Sequence, residues 1–532
     1  MALLATPEPN LALIPLCLVK QVPTMAKVQF TAEKVEELAE SHRVIPLIET
    51  LFSGTETPMS IFEKLAADKP GSFLLESAQH GVWARYSFIG VNNRGLLTQD
   101  SNGQVLWTSA ANQSPLADGS FALPNSALDA VALIQQSWTS VAVGNLPPLT
   151  SGLVGVMGWD LIREIEDLPA ATNKDFPSPI LALAMFRDLV IVDHETNCVL
   201  LVSNVFAADG EDVKRLYDQA VKHIDEMRAD LLKPINSVIA DIDFNADYSA
   251  QHATQKSAFL DSIDKAKHYV RIGDVFQVVL SQRFDLETSA NALDTYRVLR
   301  ALNPSPYMYL LNFEDEHGAY AVVGSSPEAL VSVTNGNAIT HPIAGSRPRG
   351  LTHETDQRLE AELLADNKEK SEHLMLVDLA RNDLLKVCEP NSVTVTEFMQ
   401  VHRFSHIMHL VSTVEGKVAD DCTPIDVFKA TFPAGTLSGA PKPRALQIID
   451  ELETSNRGIF GGVVGYFDFA GNADLAIAIR TAFIRDGVAH VQAGAGIVLD
   501  SVPEAEYQET LAKAGAPLRA IAAANAMIRR TN

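Results

Sequence analysis

The sequence predicts an α+β fold with antiparallel sheets, and two observations carry that reading. Segments of strand-like alternation and segments of helical periodicity intermix without the regular strand–helix–strand rhythm of a parallel sheet. Residues 475–484 alternate like a strand and are followed by Asp486-Gly487, a two-residue turn signal that needs positive φ at both positions and therefore predicts a hairpin.

In chain order, residues 1–43 read as an N-terminal extension. Its stretch 3–19 is apolar but is broken by Pro7, Glu8, Pro9 and Pro15 and lacks a basic start, so it does not read as a signal peptide, and Met25 is an alternative start. Residues 44–232 form a first α/β region. Strands are expected at 43–52, 72–77, 83–91, 153–159 and 179–192, a short helix at 58–67, a loop at 145–150 and a charged helix at 209–232. Periodicity fades over 233–248, which contains Pro234 and reads as a linker. The region 249–532 opens with a helix over 249–272 stopped by Gly273. Strands follow at 275–284, 307–313, 320–323 and 338–342, with a turn at 343–346, a helix at 366–385, a strand at 407–414 and a helix at 440–453. Within 474–513, turn pairing of Arg485 with Val488 puts Arg480 opposite Ala493 and Ala478 opposite Ala495, and a last helix opens at Ser501 with Glu504 completing a capping box.

The chain has 532 residues, enough for two or more domains, with 47% hydrophobic and 20% charged residues. A net charge of −24 argues against nucleic acid or an anionic membrane as partner. It also means that a small anionic substrate needs a locally positive pocket. No run has the length of a transmembrane helix. Cys17, Cys198, Cys388 and Cys422 are far apart without a C-x-x-C, which reads as reduced thiols of a cytoplasmic protein. Phosphate-binding glycine motifs and a nucleophile elbow are absent, which argues against a nucleotide cofactor.

Several positions carry chemistry. Arg480, on a face floored by alanines with Gly494 and Gly496 on the next strand, needs an anion, because an unpaired buried charge is prohibitive. Glu506, Glu509 and Lys513 share one face of the last helix, and Asp366, Glu369 and Glu372 repeat the pattern on another. Taken alone, each pair reads as an ordinary solvated face, and Glu369 as a capping-box partner; it is their combination that points further. Four facing carboxylates would repel without a cation, and oxygen-only ligands favour Mg²⁺. Glu328, between apolar segments, is either a turn residue or a desolvated general acid. His409 is either a core histidine or a catalytic one. Thr436, in the Gly/Pro loop 433–442, is either a loop residue or an anion contact.

The runs PIAGSRPRG, DNKEKSEHLMLVDLARNDL, SHIMHLVSTVEG, FPAGTLSGAPK, GGVVGYFDF, AIAIRTAF and QAGAGIVLDSVPEAEYQET, with SFLLES and RYSFIG near the N-terminus, resemble the anthranilate synthase component I family of chorismate-utilising enzymes. The resemblance spans nearly all of residues 44–515. It implies two antiparallel sheets packed face to face, helices outside and an active site in the cleft. It implies that Glu369, Glu372, Glu506 and Glu509 form a Mg²⁺ shell holding the ring carboxylate of chorismate, helped by Gly345 and Ser346. Arg480, Gly494, Ala495, Gly496 and Lys513 would hold the enolpyruvyl carboxylate, with Thr436 and Phe460 lining the pocket. Glu328 would protonate the departing 4-hydroxyl and His409 would serve pyruvate elimination. Related isochorismate and aminodeoxychorismate synthases carry lysine where Gln277 and Ala344 stand, so the resemblance implies direct attack by ammonia, supplied by a glutamine amidotransferase subunit. Phe460 stands where the family usually has tyrosine, and Ser346 where it usually has threonine. Glu76, Ser77 and Arg85 would meet Pro306, Tyr307 and Met308 in a tryptophan feedback site. Two rival readings are a 2-amino-2-deoxyisochorismate synthase that keeps pyruvate and a non-catalytic Mg²⁺- and carboxylate-binding sensor.

Overall fold

The computed structural model describes residues 28–67, 69–78, 85–100, 102–141, 147–169, 175–235, 239–403 and 407–530. The expectations for residues 3–19 and Met25 lie outside them, as do Cys17, residues 83–84 of the predicted strand, 145–146 of the predicted loop and 236–238 of the linker.

The fold mixes helices with a large antiparallel sheet, as predicted, and strand pairing links 21 of its strands into one network. The network forks at the Leu181–Asp193 strand, whose neighbours include both Tyr86–Gln99 and Gly152–Met157. One arm runs from Tyr86–Gln99 through Ser72–Glu76, Tyr307–Asp315, Gly318–Ser326, Thr481–Arg485 and Val488–Ile497 to Gln277–Glu287. The other runs from Gly152–Met157 through Val463–Asp468, Ala473–Ile477, Ala329–Thr334 and Asn337–Thr340 to Ile407–Lys417. Strands from both ends of the sequence therefore pair in each arm.

The alternation of apolar positions decides which side chains enter the core. Phe73, Tyr309, Leu311, Val322 and Phe483 of the first arm share one buried cluster with Val154, Val156, Val464 and Tyr466 of the second. Helices pack on strands of both arms. The helix Asn367–Leu385 packs on the Ile343–Pro348 and Ile407–Lys417 strands, and Pro503–Asn525 on Val488–Ile497.

Several sequence expectations are corrected. Residues 475–484 do not form one strand. Arg480 adopts φ 55°, which ends the ladder, and the segment splits into Ala473–Ile477 in the second arm and Thr481–Arg485 in the first. The Asp486-Gly487 hairpin forms, with φ of 51° and 74° and Arg485 opposite Val488. Its pairing stops at Ala482 opposite Val491, so Arg480 does not face Ala493 nor Ala478 face Ala495. The last helix begins at Pro503 behind Val502 with no side-chain cap. The Ser501–Glu504 capping box is absent because Ser501 Oγ accepts from Val498 N and Glu504 pairs with Lys256. The turn expected at 343–346 is a strand, Ile343–Pro348, with a bulge at Gly345 (φ 67°).

Arg457 ties the core to the loop that follows the Pro424–Thr431 helix. Its buried guanidinium donates to Leu437 O at 2.7 Å, Val279 O at 2.9 Å and Glu453 at 2.7 and 2.9 Å. Replacing it by Met takes the cation from the buried Glu453 carboxylate, which keeps Ser281 N and Oγ as donors; breaking a buried ion pair costs about 3–5 kcal/mol. The expected outcome for Arg457→Met is a clear fall in the unfolding midpoint by calorimetry, larger than for loss of the exposed pair Lys222–Glu226.

Candidate active site

The chain passes between the two sheet arms twice in adjacent places: at residues 327–328, between Gly318–Ser326 and Ala329–Thr334, and at 478–480. The crossings hold each other. Ser325 N donates to Arg480 O at 3.2 Å, and Ile477 N donates to Glu328 O at 3.0 Å. The backbones that carry Glu328 and Arg480, both singled out from the sequence, thus run next to each other because the chain changes arm there.

Arg480 occupies the left-handed region, which costs a non-glycine residue conformational energy. Its guanidinium donates to Lys513 O at 2.7 Å and to Ala512 O at 3.5 Å, and it forms no ion pair among the described residues. Burial lowers its pKa, and Glu509 offsets this in part. A cation satisfied by backbone carbonyls alone is suited to receive an anion. Lys513 lies beside it, with Nζ donating to Gly494 O at 3.0 Å and pairing with Glu509 at 2.7 Å. At Gly496 a Cβ would lie 2.3 Å from Gln277 Nε2, so only glycine lets that amide approach the strand.

Glu328 is half-buried, and its surroundings desolvate the carboxyl enough to push its pKa to about 7. Thr436 Oγ1 donates to Glu328 Oε1 at 3.0 Å and, with the charge of Lys513, opposes that rise. Thr436 is presented by the loop between the helices Pro424–Thr431 and Lys442–Leu452, which Arg457 and the pairing of Gly439–Ala440 with Gln277 and Val278 hold against the first arm.

Asp366 caps the helix Asn367–Leu385 as predicted, accepting from Lys368 N and Glu369 N. Glu369 does not close a capping box; its carboxylate meets Arg347 Nη1 at 3.5 Å. Burial raises the pKa of Glu372, and the charges of Glu369, Glu509 and Glu506 raise it further. Burial likewise raises Glu506, with Glu509 adding to it and Ser501, Lys513 and Lys368 opposing it. The two helices therefore bring all four carboxylates within electrostatic reach of one another. As placed, no three His, Cys, Asp or Glu side chains among the described residues are close enough to hold a metal ion. The donor set still fits a hard divalent cation: it is all oxygen, its members repel, and Lys513 and Arg347 occupy two of them in its place.

His409 lies across the Ile343–Pro348 strand from Ser346, and Nδ1 is 3.1 Å from Gly345 O. A carbonyl only accepts, so Nδ1 carries the proton and Nε2 is the basic nitrogen. Burial lowers the pKa of the ring, with Arg480 adding to the effect, so it is neutral at physiological pH. A Cβ at Gly345 would stand 3.1 Å from Glu369 Oε2, which explains glycine at this bulge. Ser346 is exposed. Phe460 is buried, with the Arg457 guanidinium 5.6 Å from its ring centre and the same guanidinium 4.1 Å from Trp159.

The N-terminal candidates meet the segment 305–308 in part. Glu76 pairs with Met308 across the strands, and Ala78 N donates to Ser305 O at 3.1 Å. Glu76 accepts from Tyr296 OH at 2.5 Å, and Ser77 Oγ is buried without a hydrogen-bond partner among the described residues. Tyr307 OH donates to Asp474 at 3.1 Å, next to Pro306. Arg85 turns to Asp193 and Glu195.

Sequence reasoning passed over Arg347, Arg457 and the buried Lys442–Asp383 pair (2.8 Å). Arg347, one residue from Ser346, was within reach of a sequence argument. The others depend on long-range packing, and nothing local marks them.

The profile of the chorismate binding enzyme family matches residues 72–519, and the chain belongs to that family. Within it, the chain is 49% identical to anthranilate synthase component 1 of Arthrobacter globiformis over 504 residues, 93% of each chain. It is 48% identical to that of Mycolicibacterium smegmatis over 498 residues, 92% of this chain and 93% of the other. The crystal structure of anthranilate synthase component I from Streptococcus pneumoniae superposes with a TM-score of 0.71 at 32% identity, covering 88% of this chain and 98% of that one. The menaquinone-specific isochorismate synthase of Escherichia coli shares the fold, with a TM-score of 0.64 at 19% identity over 92% of this chain and 98% of that one.

Thr436→Val removes the hydrogen bond that favours ionised Glu328. The carboxyl pKa is expected to move further above about 7, read by infrared difference titration or by ¹³C NMR of labelled glutamate.

Proposed function

We propose that this chain converts chorismate and ammonia to anthranilate and pyruvate, the first committed step of tryptophan biosynthesis. The observation that carries the reading is that a desolvated proton donor, Glu328, and a guanidinium with no ion pair among the described residues, Arg480, stand on adjoining chain crossings, with Lys513 acting on Glu328 and accepting from Arg480 through its carbonyl. The curated relatives described above, named anthranilate synthase component 1, support the same assignment.

Arg480, Lys513 and the backbone of Gly494, Ala495 and Gly496 bind the enolpyruvyl carboxylate. Gly345 and Ser346 face the ring carboxylate. Glu369, Glu372, Glu506 and Glu509 would hold Mg²⁺, which supplies positive charge for that carboxylate when bound. Thr436 orients Glu328, whose protonated form gives its proton to the departing 4-hydroxyl while ammonia adds at C2. Its pKa of about 7 keeps a large share of the acid loaded at neutral pH. His409, neutral and basic at Nε2, serves the elimination of pyruvate, which the gain of aromaticity drives. Gln277 and Ala344 leave no lysine to activate water or to attack the ring. Phe460 packs under Arg457 and gives the pocket no hydroxyl.

The two sheet arms are read as layers packed face to face, with the cleft between their ends; the mixed cluster of Phe73, Tyr309, Val156 and Val464 supports this. Residues 44–232 and 249–532 are read as an N-terminal region and a catalytic region joined by the linker 233–248. A glutamine amidotransferase subunit supplies the ammonia, as the "component 1" naming of the relatives suggests. Tryptophan inhibits at the segments around Glu76, Ser77, Arg85 and 306–308. Cytoplasmic location fits a chain in which no helix among the described residues is long and apolar enough to cross a membrane.

The test is product formation by the isolated chain with chorismate, Mg²⁺ and an ammonium salt. Anthranilate and pyruvate in equal amounts are expected, lost on adding EDTA and regained with Mg²⁺. An amino-isochorismate without pyruvate, or binding without turnover, would overturn the reading. Glu328→Gln is expected to lower kcat by about 10²–10⁴-fold with chorismate binding retained by calorimetry. Because burial raises this acid's pKa, its protonated form is lost as pH rises. At fixed free ammonia, kcat of the parent chain should fall above about pH 7.

A further inference from the structure

Behind Glu328 lies a cavity of about 60 Å³ that also borders Thr340, His341, Asp383, Thr431 and Thr436. Much of its lining is aliphatic, and Glu328, His341, Asp383 and Thr436 supply the polar partners that water in it needs. His341 follows the Asn337–Thr340 strand and connects this cavity to the outer edge of the second arm. Its Nδ1 is 3.1 Å from Thr413 Oγ1, and Thr413 Oγ1 donates to Glu397 Oε2 at 2.9 Å. Thr413 is buried on the Ile407–Lys417 strand, whereas Glu397, on the neighbouring strand, is exposed. The three side chains thus run from solvent to the chamber of the acid.

We propose that Glu397, Thr413 and His341 form a proton relay that reloads Glu328 between turnovers. The inference rests on the reaction proposed above. In that reaction the 4-hydroxyl leaves as water with the Glu328 proton, and Glu328 is left a carboxylate. Ammonia bonds through its lone pair, so the nitrogen carries one proton more than the product amine. That proton is released to solvent, and one proton must return to Glu328, so no net proton is consumed.

The hydrogen bonds give the relay a direction. The single Thr413 proton points to the acceptor Glu397, so Thr413 accepts from His341 Nδ1–H, and Nε2 holds the lone pair. This is the arrangement left after an inward transfer: Glu397 gives to Thr413, Thr413 gives to Nδ1, and Nε2 releases its proton to the cavity water and so to Glu328. A tautomer change of the ring resets the chain. Burial keeps His341 neutral, so it passes protons without storing charge, while Glu397 and His402 act on it in opposite senses. Glu328 itself faces Thr436 and Lys513, and Asp383 in the cavity wall is held by Lys442. None of these is in series with the relay.

The test compares the first turnover with the steady state. Glu328 starts loaded, so Thr413→Val and His341→Ala should leave the single-turnover rate near that of the parent chain. Both should lower steady-state kcat by about tenfold or more and produce a burst of one equivalent of anthranilate. Imidazole in the buffer should restore His341→Ala in a concentration-dependent way and leave Thr413→Val slow. Unchanged kcat in both variants would overturn the relay, as would a parallel fall of single-turnover and steady-state rates. Failure of the parent chain to form anthranilate would instead overturn the proposed reaction.

Discussion

The double crossing between the sheet arms is the constraint on which the site depends. Two backbone hydrogen bonds, Ser325 to Arg480 and Ile477 to Glu328, lock the crossings together. Backbone leaving a ladder must satisfy its polar groups elsewhere, and here each crossing satisfies the other. A proton donor and a cation with no ion pair among the described residues therefore stand on backbone tied together at the crossings, and the positive φ of Arg480 is held by its surroundings. Rigid placement of this kind preorganises charge for chemistry.

Electrostatics divide the cleft into two poles. Arg480 and Lys513 gather beside Gly494 of the Val488–Ile497 strand, and the four glutamates of two helices lie next to them, with Glu509 2.7 Å from Lys513. In a chain of net charge −24, a dianionic substrate is drawn only to such local positive charge. A divalent cation at the glutamates would turn the second pole positive and let both carboxylates of one substrate bind. Lys513 belongs to both poles, since it pairs with Glu509 and donates to Gly494 O.

Much of this was legible in the sequence, for identifiable reasons. The 486–487 hairpin, the Asp366 cap and the Gly273 helix stop depend on neighbours within a few residues, and all three formed. The i, i+3 spacing of the glutamates follows from helix geometry alone. The motif runs identify the family because each preserves residue types at set spacing. The single strand over 475–484 failed because alternation continues through Arg480 while the backbone does not. Positive φ at a non-glycine residue leaves no mark in the residue pattern. The Ser501 cap failed because Glu504 found Lys256, far away in sequence.

What the chain determined by itself was the mixed α+β class, its local turns and caps, its family, and which side chains carry charge or protons. Only the tertiary structure decided which of those side chains meet. The raised pKa of Glu328 comes from burial among segments far apart in sequence, and the Thr436 bond spans more than a hundred residues. The path from Glu397 to His341 exists because three strands lie side by side. Desolvation and long-range pairing belong to the packed molecule, and no window of sequence contains them.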